Sequence, residues 1–236
     1  MTDDRLPTYR LDDSVAVITL DDGKANAFTA AAVAHVESLI DQAEADGARA
    51  LVIVGRPGRF SAGFNLEEMT ASVEGMRALV VAGARLWLRI YGLPMPTVAA
   101  GTGHALAGGA ITLLSCDLRL GADVPAKIGL NEVAIGLTLP KFAVELARDR
   151  LTRSAFTAAT MGGQVYDVAG ALDAGFLDQV VAADDLLDAA LAEARRLATL
   201  RTGAYAGTKR NARSAMIDRV LAEVVEDMES VDLPTG

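Results

Sequence analysis

Apolar residues follow two rhythms along this chain. Short unbroken runs, Ser14 to Leu20 (SVAVITL), Ala50 to Val54 (ALVIV) and Thr97 to Ala100, predict buried strands. Between them apolar positions recur at helical spacing: Val33, Val36, Leu39 and Ile40 within Ala30–Ala45, then Met76, Leu79, Val80, Leu86, Trp87 and Ile90 within Val73–Tyr91. Thr29 can cap the first helix and Gly47 can end it, while Gly55 to Gly58 and the pair Pro94 and Pro96 interrupt the pattern. A helix is expected from about Gly108, and Asp117 to Gly121 returns as a strand. Alternating strands and helices imply βαβ units and a mostly parallel sheet, so the fold class is α/β. After Pro140 the rhythm is helical over Lys141–Asp149, Ser154–Thr160, Asp167–Ala174, Asp185–Leu200 and Ala204–Glu229, with strand-like pieces at Ala126–Ile128 and Leu177–Val181. No linker separates the halves. The expected organisation is a core over residues 1–181 and a helical region over 182–236.

The 236 residues are 51% hydrophobic, enough for a substantial core, and the net charge is -9. An acidic chain with scattered Lys and Arg argues against a nucleic-acid partner. No run approaches the length needed to span a bilayer. The acidic start, MTDDRLPTYRLDD, lacks the features of a signal peptide, so a cytoplasmic location is expected. The one cysteine, Cys116, sits in an apolar run and reads as a small buried hydrophobe.

The stretch Thr97–Asp117, TVAAGTGHALAGGAITLLSCD, carries the candidate chemistry. A strand gives way to a glycine-rich turn and then an apolar helix, an arrangement that aims unpaired N–H groups and a helix dipole at negative charge. A dinucleotide pyrophosphate would need a third glycine where Leu106 stands, and no phosphate-loop motif occurs elsewhere. A reaction oxyanion would need a second donor turn after another strand. One follows Ala50–Val54: RFSAGFNL, Arg59 to Leu66, whose Ser61, Ala62 and Gly63 permit close backbone approach. Either turn alone reads more readily as a tight loop; the pair is what suggests an oxyanion site.

RFSAGFNL, GHALAGGA with the following LSCD, and IGLNEVAIG resemble, in order and spacing, the crotonase (enoyl-CoA hydratase/isomerase) superfamily. KANAF, Lys24 to Phe28, is similar to that family's CoA-contact segment. The resemblance implies a crotonase-like spiral ββα core with a helical C-terminal region that covers the core and contributes to trimerisation. It also implies homotrimers or pairs of trimers, and an acyl-CoA thioester substrate, with coenzyme A entering only as part of that substrate. No metal or other cofactor is implied. It assigns the oxyanion donors to the N–H groups of Ala62 and Gly108, and CoA contacts to Lys24, Ala25, Ala27, Ala62, Asn65 and Leu66. Lys24 and Lys209 are candidate phosphate partners, Lys209 from a neighbouring subunit, although both also read as solvated surface lysines. Asn65 stands where the family often has Asp.

Family hydratases commonly use two glutamates. Here the first position is Ile111 and the second is Glu132 in LNEVAIG. One carboxylate can take a proton from C2 and return it at C4, so the pair Ile111/Glu132 favours moving a double bond from 3-enoyl-CoA to 2-enoyl-CoA. An apolar neighbour would raise the Glu132 pKa and exclude water. LWLRIY and IGLNE resemble the Δ3,Δ2-enoyl-CoA isomerase branch. Two other readings stay open: an enoyl-CoA hydratase, and a non-catalytic acyl-CoA-binding member. Glu132 also reads as a helix N-terminal carboxylate. His104 and His35 build neither triad nor metal site. Asp117 reads as a structural hydrogen-bonding residue, Trp87 and Tyr91 as core or acyl-pocket wall, and Arg148, Asp149 and Arg150 as a solvated helix end.

Overall fold

The computed structural model describes residues 5–229. The chain enters through β1 (Thr8–Asp12), β2 (Val15–Leu20) and the two-residue β3 (Ala27–Phe28) before α1 (Ala30–Ala45). Next come β4 (Ala50–Gly55), β5 (Gly58–Ser61), β6 (Gly63–Phe64), α2 (Leu66–Ala71) and α3 (Val73–Gly92). The motif is repeated by β7 (Thr97–Gly101), β8 (Gly103–Leu106) and α4 (Gly108–Ser115), then by β9 (Leu118–Ala122) and β10 (Ile128–Gly129). The remainder is α5 (Lys141–Arg150), α6 (Arg153–Thr160), α7 (Val168–Ala174), β11 (Gln179–Val181), α8 (Leu186–Ala198) and α9 (Thr202–Glu229).

A six-stranded sheet in the order β1-β2-β4-β7-β9-β11 forms the backbone of the fold, parallel except for the antiparallel β1–β2 pair. Each strand of the β4–β7–β9 series turns a corner into a short strand of a second, parallel sheet ordered β10-β8-β5. These repeated corners make a spiral of ββα turns. The central strands β2, β4 and β7 are buried along almost their whole length because both faces of the large sheet are covered there. Ala16, Ile18, Leu51 and Ile53 face the core under α1, α3 and α4, whereas Val15, Val17, Val52 and Val98 face Leu186, Ala190, Leu191 and Ala194 of α8. Helix α9 packs along α3 and α5.

The long elements lie where the sequence puts them. Thr29 caps α1 by accepting from Ala32 N–H at 3.0 Å, and Gly47 leaves the helix at φ +71°. The expected direct passage from glycine turn to helix after Thr97–Ala100 is corrected: β8 intervenes, and the glycines turn the chain into the second sheet.

Asp117 is more than a local hydrogen-bonding residue. Its carboxylate accepts from Thr97 N–H (2.9 Å) and, across to α9, from Tyr205 Oη (2.8 Å), Lys209 Nζ (2.7 Å) and Arg213 Nη1 (2.6 Å). Positions 205, 209 and 213 share one helix face at four-residue spacing. Burial pushes the Asp117 carboxyl up, but Lys209 and Arg213 outweigh it and hold the group below the usual carboxylate range. Lys209 is 6% exposed and also donates to the carbonyls of Leu93 and Met95. It is neither a solvated lysine nor placed to meet a phosphate, because its three donors are spent inside the protein.

The expected solvated end at residues 148–150 holds for Arg148, which is exposed, but its two neighbours are bonded into the protein. Arg150 Nη2 donates to the carbonyls of Cys116 (2.7 Å) and Asp117 (2.9 Å), and Asp149 accepts from Tyr91 Oη at 2.6 Å. Cys116 is buried, and burial pushes its thiol up to about 12.

Removing one member of a buried ion cluster strands the others without compensation. Asp117→Ala is expected to lower stability by about 3–5 kcal/mol, and adding Lys209→Met to recover part of that loss. Urea unfolding of both single variants and the double variant checks this.

Candidate active site

Two turns from different ββα repeats meet above the carboxyl ends of β4 and β7. The first is fastened from below by side chains of Asp22, Asn26 and Ser61, whose bonding the sequence motifs did not reveal. Asp22 accepts from the N–H groups of Lys24, Asn26 and Ala27 at 2.7–3.0 Å, folding the KANAF segment into a loop. Buried Asn26 donates from Nδ2 to the carbonyls of Leu20, Arg59 and Phe60. Ser61 Oγ donates to Asn26 O (2.7 Å) and accepts from Gly63 N–H (3.1 Å). The cue in the sequence was the polar Asn26 inside an otherwise small, apolar segment. Asn65 caps α2 by accepting from Glu68 N–H at 3.0 Å, so the amide performs the capping that Asp could supply.

The second turn ends at Ala107, whose φ of +48° and ψ of −119° suit glycine and cost a β-carbon residue about 1–3 kcal/mol. Its N–H donates to Gly129 O and its carbonyl accepts from Ile111 N–H, which holds it there. This conformation starts α4 with the Gly108 N–H in the unbonded first turn. Behind it, Trp87 Nε1 donates to Thr112 Oγ1 (2.9 Å), which donates to Gly108 O (2.8 Å). Trp87 is wholly buried among Phe28, Phe64 and Phe142, with ring centroids 5.1–5.7 Å apart, so it is core that backs the site.

The turns touch through glycine. A β-carbon at Gly63, which has φ +91°, would lie 2.8 Å from Gly108 N and 2.9 Å from Ala107 Cβ. The donor assigned to Ala62 is corrected. Its N–H already donates to Ala25 O at 3.0 Å. Phe64 is the better placed group. It pairs with Phe28 in a parallel ladder, and Asn65 N–H donates to Phe28 O, so Phe28 is the residue whose polar groups face its partner strand. The Phe64 N–H therefore points away from β3, next to the Gly63–Gly108 contact.

Both turns open into a cavity of about 450 Å³. Ala25, Ala27, Ala62, Asn65, Leu66 and Gly108 line it, together with Ile111 and Glu132. Lys24 lies outside the lining; it is exposed, and its carbonyl accepts from Arg56 Nη2. Glu132 follows β10 and sits at the N-terminal cap of a 3-10 turn at Val133–Ile135, but its side chain makes no capping bond there. It is 8% exposed, Oε2 has no hydrogen-bond partner, and burial pushes its carboxyl up to about 7. Ile111 is 2% exposed on the same wall set. The neighbouring Asn131 Oδ1 is also buried without a partner. The second carboxylate in the lining, Glu67, is exposed at the rim.

The histidines stay outside. His104 Nδ1 accepts from Lys127 N–H, and His35 Nε2 contacts Pro7 O. Among the described residues there is no metal-binding cluster of His, Cys, Asp and Glu, and no helix long and apolar enough to cross a membrane.

Comparison with known proteins agrees with this geometry. The enoyl-CoA hydratase/isomerase family matches residues 10–230. A probable enoyl-CoA hydratase of Bacillus subtilis is 34% identical over 71% of this chain and 66% of its own length. The human mitochondrial enoyl-CoA delta isomerase 1 is 32% identical over 74% of this chain and 59% of its own. Among solved structures, an enoyl-CoA hydratase/isomerase family protein from Pseudomonas syringae superposes with a TM-score of 0.92 at 41% identity, covering 95% of this chain and 97% of that one. The human mitochondrial delta3-delta2-enoyl-CoA isomerase superposes with a TM-score of 0.91 at 28% identity, covering 95% and 90%. With its spiral ββα core and paired backbone turns, this chain belongs to the enoyl-CoA hydratase/isomerase, or crotonase, family.

Proposed function

We propose that this protein moves the double bond of a 3-enoyl-CoA to the 2-position. The observation that carries the reading is a solitary buried carboxylate, Glu132, sharing an apolar cavity with Ile111 and with the paired turns. Ionised Glu132 removes a proton from C2, and the electron pair passes to the thioester oxygen. The N–H groups of Phe64 and Gly108 stabilise that oxyanion, a contribution worth several kcal/mol where water is excluded. The electrons then return through C2–C3, C4 takes the proton from Glu132, and the carboxylate is regenerated. No atom is gained or lost. A pKa near neutrality suits a group that must accept and then release a proton. The CoA moiety is bound by the Ala25, Ala27, Asn65 and Leu66 side of the cavity, and the active assembly is a homotrimer or a pair of trimers.

A hydratase reading has one observation in its favour. Asn131 Oδ1 and Glu132 Oε2 are two buried acceptors without protein partners in one cavity, and together they could hold a nucleophilic water. Ultraviolet assay of purified protein on a 3-enoyl-CoA and on crotonyl-CoA separates the two readings. Formation of the conjugated thioester from the first is expected to exceed loss of conjugation in the second. The reverse order would establish the hydratase, and binding without turnover of either would leave only an acyl-CoA-binding role.

Glu132→Gln is expected to lower kcat by about 10²–10⁴-fold. Wild-type kcat/KM should rise through an apparent pKa of about 7, since the reaction starts from the ionised carboxylate. Stability carries the opposite sign. A carboxyl whose pKa is raised on folding costs nothing below its unfolded value; the penalty grows between the unfolded and folded values and is complete above the folded one. The Gln variant should therefore be more stable than wild type above about pH 7, with the difference vanishing near 4.5. Thermal denaturation across that range checks the sign.

Gly63→Ala is expected to reduce kcat by at least about 10²-fold, because the added carbon lands on the Gly108 donor. Steady-state kinetics beside far-UV circular dichroism distinguishes this from unfolding.

A further inference from the structure

We infer that the Phe64 side chain, seated in a notch made by Gly83, sets how long an acyl chain the cavity accepts. The inference rests on the acyl-CoA reading of the site and adds a specificity-determining residue to it. Three observations meet here. Phe64 lines the cavity, alongside Met76 and Val80 of α3. Residues 76, 80, 83 and 87 fall on one stripe of that helix, at steps of four, three and four. The stripe therefore presents methionine and valine to the cavity, then a glycine, then buried Trp87. The phenyl ring fills the space left by the glycine: a β-carbon at Gly83 would lie 2.4 Å from Phe64 Cζ and 2.8 Å from its Cε1. The ring also contacts Trp87, with centroids 5.1 Å apart at an interplanar angle of 55°.

The ring thus plugs what would otherwise be a channel running between β6 and α3 towards Trp87. Its backbone faces the Gly63–Gly108 contact while its side chain closes space beside the helix, so one residue serves two ends of the same substrate. Trp87 is pinned by Thr112 and three rings and does not yield. The free end of Phe64 is the part able to move, and the cavity is the open side available to it. Adding a methyl at position 83 pushes the ring into the cavity and shortens it. Removing the ring lengthens it along α3.

Isothermal titration of saturated acyl-CoAs, from butanoyl- to hexadecanoyl-CoA, tests this without relying on turnover. Each methylene that finds apolar contact should tighten binding by about fourfold until the chain meets the ring. In Phe64→Ala the plateau should move to longer chains, and hexadecanoyl-CoA should gain at least roughly tenfold relative to butanoyl-CoA, room for a few methylenes. In Gly83→Ala the plateau should move to shorter chains; alanine is a better helix former than glycine, so the helix itself is not weakened. The same plateau in all three proteins would overturn this inference and leave the thioester reading intact. Failure of the wild-type protein to bind any chain length would overturn the thioester reading, and this inference with it.

Discussion

Everything functional in this fold depends on two backbones touching. Gly63 and Gly108 come from successive ββα repeats, and nothing but hydrogen fits where their α-carbons face each other. The large sheet delivers the two turns to the same edge, because parallel neighbours β4 and β7 end side by side. The small sheet then sets their height, through the pairing of β5 with β8. Two N–H groups become neighbours only if both conditions hold. A polar lattice of Asp22, Asn26 and Ser61 fixes the first turn, and the Trp87–Thr112–Gly108 chain fixes the second. Neither lattice enters the cavity chemistry; both remove freedom that a catalytic turn cannot have.

Around this contact, the chemistry is set by what is missing. A carboxylate with no hydrogen-bond partner at one oxygen and aliphatic walls beside it is hard to ionise, and that difficulty brings Glu132 into the neutral range. Ile111 contributes by having no charge and no room for water to cling to. In the proposed reading the same aliphatic character also receives the acyl chain, so reactivity and substrate preference would share one property of the walls.

The long elements were legible because burial on two sheet faces, or on one helix face, writes a strong pattern. Ala50–Gly55 and Val73–Gly92 follow it almost residue for residue. The strands β3, β5, β6 and β8 were not legible. They are two to four residues long, and pairing of backbone groups leaves no side-chain rhythm. The same limit explains the misplaced donor: motifs locate a turn, but which N–H points inward depends on ladder parity, and Ala62 and Phe64 sit either side of a left-handed glycine. Glu132 and Ile111 were singled out by residue type at fixed motif positions, and the structure brings both to one cavity. Lys209 was misread because a lone lysine on a polar helix looks solvated until Asp117 appears opposite it.

The grip of Asp117 on α9 reaches farther than the cluster itself. A helix is stiff along its axis, and Met228, which lines the cavity, lies nineteen residues beyond Lys209, roughly 28 Å away at 1.5 Å per residue. Arg77, Lys141 and the flank of α3 steady the rod along its course. Its axial position is nevertheless indexed at the Tyr205–Lys209–Arg213 face. A slip of one residue there would shift the rod by about 1.5 Å and turn it by about 100°, swinging Met228 off the cavity wall. The carboxylate just ahead of β9 thus anchors one end of a helix whose other end, at Met228, forms part of the cavity wall.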